Sequence, residues 1–305
     1  MNEAEKVAEL AHASARKPQC ITIEHGGVAA QVLLVPDGTP GGYAQHSVKK
    51  LLEPYQAAPE RRVGTALLTD LNSFIAHANR FKDDDSLVFL DRGNGSDGTN
   101  RMPKLIAVLD YHRKGAAGAP RFGQHRSQYS FPMSDEWQAW VGQDAKGMDQ
   151  ERFARWIEDH LADVADPANA GDGAKAFVAL LGCGLATPAK LLELSHGLDL
   201  HVGQRVKQHA RLATGEVNVH FMEEHSDANG KPLKVPGAFL LGIPVFRGGD
   251  AYQLPVRLRY RVQQGSVSWY YEMHQPQRIL DHALAEACAE VTERCSLDVL
   301  DGVPE

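Results

Sequence analysis

The chain has 305 residues and a formal net charge of -7, with 43% hydrophobic and 23% charged residues. These values fit a soluble globular protein with one large core or two ordinary ones, and no apolar run approaches the roughly 20 residues of a membrane span. The acidic balance argues against nonspecific nucleic-acid binding by the whole surface, while leaving room for a local basic patch.

The opening residues, MNEAEKVAELAHASARK, are mixed in charge, read as helical and lack the apolar core of a secretory signal, so a cytoplasmic protein is expected. Residues 20–36 read as two β segments around Gly26-Gly27, a hairpin signal. HSVKKLLEPY reads as a short helix. TDLNSFIAHANRF follows with Thr69 or Asp70 as N-cap and Leu71, Phe74, Ile75 and Ala78 at helical spacing. Three strand-like runs come next, SLVFLD, KLIAVLDYH and RSQYSFPM, the first two joined by the turn-rich RGNGSDGTNR. SDEWQAW opens a helix capped by Ser134. DQERFARWIEDHLADV carries one apolar stripe through Phe153, Trp156, Ile157, Leu161 and Val164. Trp137, Trp140 and Trp156 are spaced as helix core.

Residues 165–174, ADPANAGDGA, read as a linker dividing a mixed portion, 1–168, from a second portion, 169–305, unless the two form one compact unit. Thr187-Pro188 fits an N-cap followed by proline at the first helical position. Residues 202–274 read as an antiparallel meander, with strands at about 204–213, 216–225, 237–247, 252–263 and 266–274. PQRILDHALAEACAEVTERC closes the chain as a helix. The expected class is α+β: an N-terminal mixed portion and a C-terminal antiparallel meander sheet packed by helices.

Within the meander, PVRLRYRV (255–262) alternates apolar residues with Arg257, Arg259 and Arg261. If Gln264-Gly265 is a two-residue turn, Val262 faces Val267, Tyr260 faces Trp269, Leu258 faces Tyr271 and Val256 faces Met273. On the other side Arg261 meets Ser268, Arg259 meets Tyr270 and Arg257 meets Glu272. A one-residue slip would mix arginines into the apolar set, so the pattern selects this register. A turn at Thr214-Gly215 sets Arg205, Lys207 and Arg211 on the non-core side of a preceding hairpin. A bland reading is a solvated sheet face with Glu272 and Glu224 each neutralising one arginine. The functional reading is an anion-binding face: guanidinium forks suit phosphate, and Tyr270 offers a ring on which a base can stack.

Asp110 and His112 lie two apart in LDYH, and His125 follows a glycine-rich loop. Such residues can hold a divalent metal, or Asp110 can orient His112, or both can serve a loop contact. GDGAK at 171–175 lacks the rest of a phosphate loop, and no GxSxG, HExxH or PCxxC occurs. Cys20, Cys183, Cys288 and Cys295 show no CxxC spacing, and reduced, buried thiols are expected.

SFIAHANRFKDDDSLVFLD, AVLDYH, SDEWQAW, FARWIEDHLADV and PVRLRYRV together resemble the YfdQ-like family of uncharacterised phage and prophage proteins, over roughly residues 60–285. The resemblance implies a phage setting near replication and recombination functions and equally permits a protein that blocks a host defence. It supplies no catalytic residues. The resulting expectation is a non-enzymatic phage or prophage protein that binds single-stranded nucleic acid or nucleotides. Arg257, Arg259 and Arg261 would bind, extended by Arg205, Lys207 and Arg211, with Tyr270 stacking. A homo-oligomer is expected because one short track binds weakly and repetition adds avidity. Two rivals stand beside it: a metal-assisted nucleotide hydrolase using Asp110, His112 and His125, and an assembly-forming or host-protein-inhibiting role.

Overall fold

The computed structural model describes residues 3, 4, 6, 17–25, 27–37, 42–93, 102–115, 118–196, 236–263 and 266–305. Among them seven helices and fourteen strands in three sheets make an α+β fold. The chain divides into two compact units, residues 1–63 and 64–305.

In the N-terminal unit, β1 (Gln19–His25) and β2 (Val28–Pro36) form the expected hairpin, His25 opposite Val28. Gly27 takes φ 80°, a turn conformation that suits glycine. A third strand, β3 (Tyr43–Ser47), extends the sheet on the β2 side. Ser47 then caps the short α1 (Val48–Leu52), accepting from the Lys50 N–H.

The larger unit is built on two sheets. The first has the order β14-β5-β6-β7-β4, from β4 (Gly64–Leu68), β5 (Leu87–Asp91), β6 (Lys104–Val108), β7 (His125–Ser130) and β14 (Val299–Asp301). The second has the order β10-β11-β12-β13-β8, from β8 (Met148–Asp149), β10 (Leu185–Ala186), β11 (Ala238–Pro244), β12 (Ala251–Gln263) and β13 (Ser266–Met273), with β9 (Val164–Ala165) also paired to β11. Strands β5 to β7 and β11 to β13 were legible as alternating or apolar runs. The edge pieces β4, β8, β9, β10 and β14 are two to five residues long, too short to show a period, and their pairing comes from the partner strand.

α2 (Leu71–Phe81) starts where expected, with the Asp70 carboxylate accepting from the Ser73 N–H at 2.8 Å. Its apolar side, Phe74, Ile75 and Ala78, packs on the first sheet beside Leu105, Tyr129 and Phe131. α3 (Asp135–Gln143) is capped by Ser134, and α4 (Gln150–Asp159) by Asp149. α4 ends five residues before the apolar stripe does, the rest passing through a 3₁₀ turn, Leu161–Asp163, into β9. α5 is Asp172–Leu181, and α6 (Pro188–His196) begins at the expected Thr187-Pro188. α7 (Pro276–Cys295) has the expected span, and it serves both cores: Ala283 belongs to the second sheet's cluster, while Leu284, Val291 and Cys295 belong to the first's.

Residues 165–174, read as a linker, are built into the larger unit. Ala165 pairs with Leu240, Gly171 N–H donates to Gln253 Oε1 at 2.8 Å, and Ala170 and Ala174 pack on Leu240. Small residues there permit close packing, a role composition does not separate from flexibility. The sheets also draw strands from both sides of residue 168: β8 joins β13 and β14 joins β5. Of the four free cysteines, Cys295 is buried, Cys183 and Cys288 are half-buried and Cys20 is exposed, which corrects the expectation for Cys20. No helix among the described residues is long and apolar enough to cross a membrane.

Candidate functional site

The arginine row sits on β12, and what fixes its direction is the opposite side of that strand. Trp269 and Tyr271 are fully buried, with Leu258 and Met273 beside them in the same cluster. Phe153 of α4 stacks on Trp269 at 4.8 Å and 10° between planes. Trp269 Nε1–H donates to Gln150 Oε1, and the Tyr271 hydroxyl donates to Trp140 O, both at 2.7 Å. Burial pushes the Tyr271 phenol well above its ordinary value, so it remains a donor. With both polar tips satisfied, this side stays inside, and alternation sends Arg257, Arg259 and Arg261 to the other side.

The observed β12–β13 register is the one derived from the pattern: Arg257 opposite Glu272, Arg259 opposite Tyr270 and Arg261 opposite Ser268. β8 extends the last row, since Ser268 is opposite Asp149 on its other edge. Arg261 is exposed, and Arg257, Arg259 and Tyr270 are half-buried. Glu272 does not pair with the residue directly opposite. Its Oε2 lies 3.0 Å from Arg259 Nε, one row along. That contact is an ion pair without a directed hydrogen bond, because Arg259 Nε is buried yet has no partner of good hydrogen-bond geometry. Among the described residues no carboxylate lies within ion-pair distance of Arg257 or Arg261. Asp149 shares the face but is occupied as the α4 cap, accepting from the Arg152 N–H at 2.8 Å.

One end of this face is covered. Leu240 and Pro255, opposite one another, are buried, with Leu240 under Ala170 and Ala174. The Phe177 ring of α5 lies 4.3 Å from the His274 ring. The solvated-face expectation therefore holds only toward the Arg259 and Arg261 end. The sequence carried a signal for this in the apolar character of α5, but nothing local in it said which face of the sheet α5 would cover. Arg205, Lys207 and Arg211, the proposed extension, lie outside the described residues.

Asp110, His112 and His125 do not form a ligand set. Asp110 Oδ1 accepts from the His125 N–H at 2.9 Å, and Oδ2 from the Gln124 N–H at 3.2 Å. His112 Nδ1 accepts from the Arg121 N–H at 3.0 Å. The His125 ring instead packs on Phe81 at 5.2 Å. Asp110 and His112 hold the backbone amides of Arg121, Gln124 and His125, which is the loop-contact alternative. Among the described residues no group of three or more His, Cys, Asp or Glu side chains is placed to hold a metal. The acidic run at 83–85 is likewise structural: Arg121 lies 2.7 Å from Asp83 and 3.9 Å from Asp85. Two depressions, about 320 Å³ beside Glu24 and His25 and about 220 Å³ beside Arg92 and Cys288, do not border the arginine row.

Compared with known families, the chain matches over residues 1–304 the one described as Uncharacterized conserved protein (DUF2303). It belongs to the DUF2303 family. No curated protein and no solved structure matches this DUF2303 chain. The arginine row and its register thus stand on the geometry of this member alone.

Proposed function

We propose that this DUF2303 protein binds single-stranded nucleic acid or nucleotides through the arginine face of β12 and β13, without catalysis. The observation that carries the reading is the shared side of Arg257, Arg259 and Arg261, with Tyr270 in the same set and with a single described carboxylate, Glu272, in ion-pair reach of the row. A chain of net charge -7 that gathers three guanidiniums on one strand concentrates positive potential locally. The spacing suits a phosphate backbone: alternate residues on a strand repeat at roughly 7 Å, near the phosphate-to-phosphate separation of an extended strand. Tyr270 adds a stacking surface worth about 1–3 kcal/mol per base. The YfdQ-like resemblance supports a phage or prophage setting and a role in DNA replication or recombination.

The test is fluorescence anisotropy with a labelled single-stranded oligonucleotide over a salt series, on wild type and on the triple variant Arg257→Ala, Arg259→Ala, Arg261→Ala. Loss of up to three phosphate contacts lowers the magnitude of the salt slope by up to about 2. Equal affinity and slope in a triple variant with wild-type circular dichroism refutes the reading.

A further inference from the structure

The arginine row is open at one end and walled at the other. Arg261 is exposed. At the opposite end, Pro255 lies two residues before Arg257 on the same face of β12 and is buried. Ala238, opposite Arg257 on β11, is buried too. The His274 N–H donates to Pro255 O at 2.9 Å, and the Phe177 ring of α5 lies 4.3 Å from the His274 ring. The next place along the row, roughly 7 Å beyond Arg257, is therefore filled by protein. Arg257 itself is half-buried, and no described group pairs with its guanidinium. Glu272 stands opposite it in the register, but the carboxylate is drawn to Arg259.

We propose that this face takes the end of a single strand, with the terminal phosphate seated on Arg257. The inference rests on the nucleic-acid reading above and narrows its ligand. A strand laid along the row from Arg261 meets the α5 wall just past Arg257. A strand running on would have to lift off the row there and give up the Arg257 contact. A chain end loses nothing at that point. Charge favours the end as well as shape does. A terminal phosphate carries about -1.5 to -2 charges near pH 7, against about -1 for a phosphate within the chain. A half-buried guanidinium without a partner is less screened by water than an exposed one, so it gains more from the extra charge. Tyr270, opposite Arg259, lies one row back from the stop, where a base near the end can stack.

The experiment is fluorescence anisotropy on the full chain with one single-stranded sequence carrying an internal fluorophore. The sequence is supplied as a circle, as a linear strand without terminal phosphates, and as linear strands phosphorylated at one end or at the other. Wild type is expected to bind every linear form more tightly than the circle. One of the two phosphorylated strands is expected to bind about fivefold more tightly than the unphosphorylated one, the effect of a unit charge at about 4 Å in a water-like dielectric. Arg257→Gln is expected to bring the phosphorylated and unphosphorylated strands to equal affinity. Arg261→Gln, at the open end, is expected to weaken both alike and keep their ratio. The circle and linear forms are compared on wild type alone, so that comparison decides even where circular dichroism shows Arg257→Gln misfolded. A circle bound as tightly as the linear strands overturns the proposal and leaves the nucleic-acid reading standing. So does a terminal phosphate without effect at either end, or a phosphate preference that survives Arg257→Gln. Binding of none of the forms refutes the nucleic-acid strand as ligand, and this inference with it.

Discussion

Removing the carboxylate that pairs with the arginine row should strengthen anion binding, which few surface substitutions do. Glu272 Oε2 lies 3.0 Å from Arg259 Nε, with side chains 41% and 37% exposed. Glu272→Gln keeps the shape of the side chain and deletes one negative charge. Because both groups are more than a third open to water, the lost ion pair should cost only about 0–1 kcal/mol of stability. The gain in binding has two sources. Arg259 becomes available to a phosphate, and repulsion between the carboxylate and that phosphate disappears. At about 5 Å in a water-like dielectric this repulsion is about 0.8 kcal/mol, or about fourfold in affinity. One further phosphate contact steepens the salt slope for a single strand by about 0.7. Anisotropy titrations at low salt should therefore show Glu272→Gln binding about 3- to 10-fold tighter, with the advantage shrinking toward 1 M salt, where the screening length is about 3 Å. Binding no tighter than wild type, with an unchanged slope and an intact fold, refutes the reasoning.

Three further outcomes follow from the packing. Trp269→Ala empties a fully buried site stacked on Phe153 and should lower the urea unfolding free energy by about 3–5 kcal/mol. The Arg121 guanidinium hydrogen-bonded to Asp83 holds that carboxyl below its ordinary value of 3.8. The folded chain then binds fewer protons there than the unfolded one, so the contribution is full above about pH 4 and is lost as pH falls through the depressed folded value. Asp83→Asn should remove that part of the acid-induced fall in urea midpoint. Burial pushes the Cys288 thiol up to about 11, and Cys295 is raised by the same cause. A thiol reagent at about pH 8, which needs the thiolate, should label exposed Cys20 quickly, half-buried Cys288 slowly and buried Cys295 only on unfolding.

How far the site was legible depended on which side chains define it. Arg257, Arg259 and Arg261 could be set on one side because a strand's period is two and the mate strand offered an apolar set in only one register. The metal trio was misleading for a related reason. Sequence spacing brings Asp110, His112 and His125 near one another, but the loop between them needs its amides satisfied, and the Asp110 carboxylate and His112 ring accept from those of Arg121, Gln124 and His125. Glu272 was expected opposite Arg257, and its backbone is. Its carboxylate reaches Arg259, a choice of rotamer that pairing alone does not set.

The sequence by itself determined the period-two hairpin of β12 and β13, the span of α7 from Pro276 to Cys295 and the caps at Ser134 and Thr187, and it narrowed the cap of α2 to Thr69 or Asp70, of which Asp70 serves. Each of these is a short-range matter of alternation, of turn chemistry or of a side chain meeting an amide three residues on. Tertiary structure alone decided that Met148–Asp149 and Val299–Asp301 complete the two sheets, that α7 serves both cores and that α5 covers one end of the arginine face. Periodicity tells which side of an element is apolar. It does not tell which distant element will cover that side, because burial is non-directional and any complementary surface can supply it.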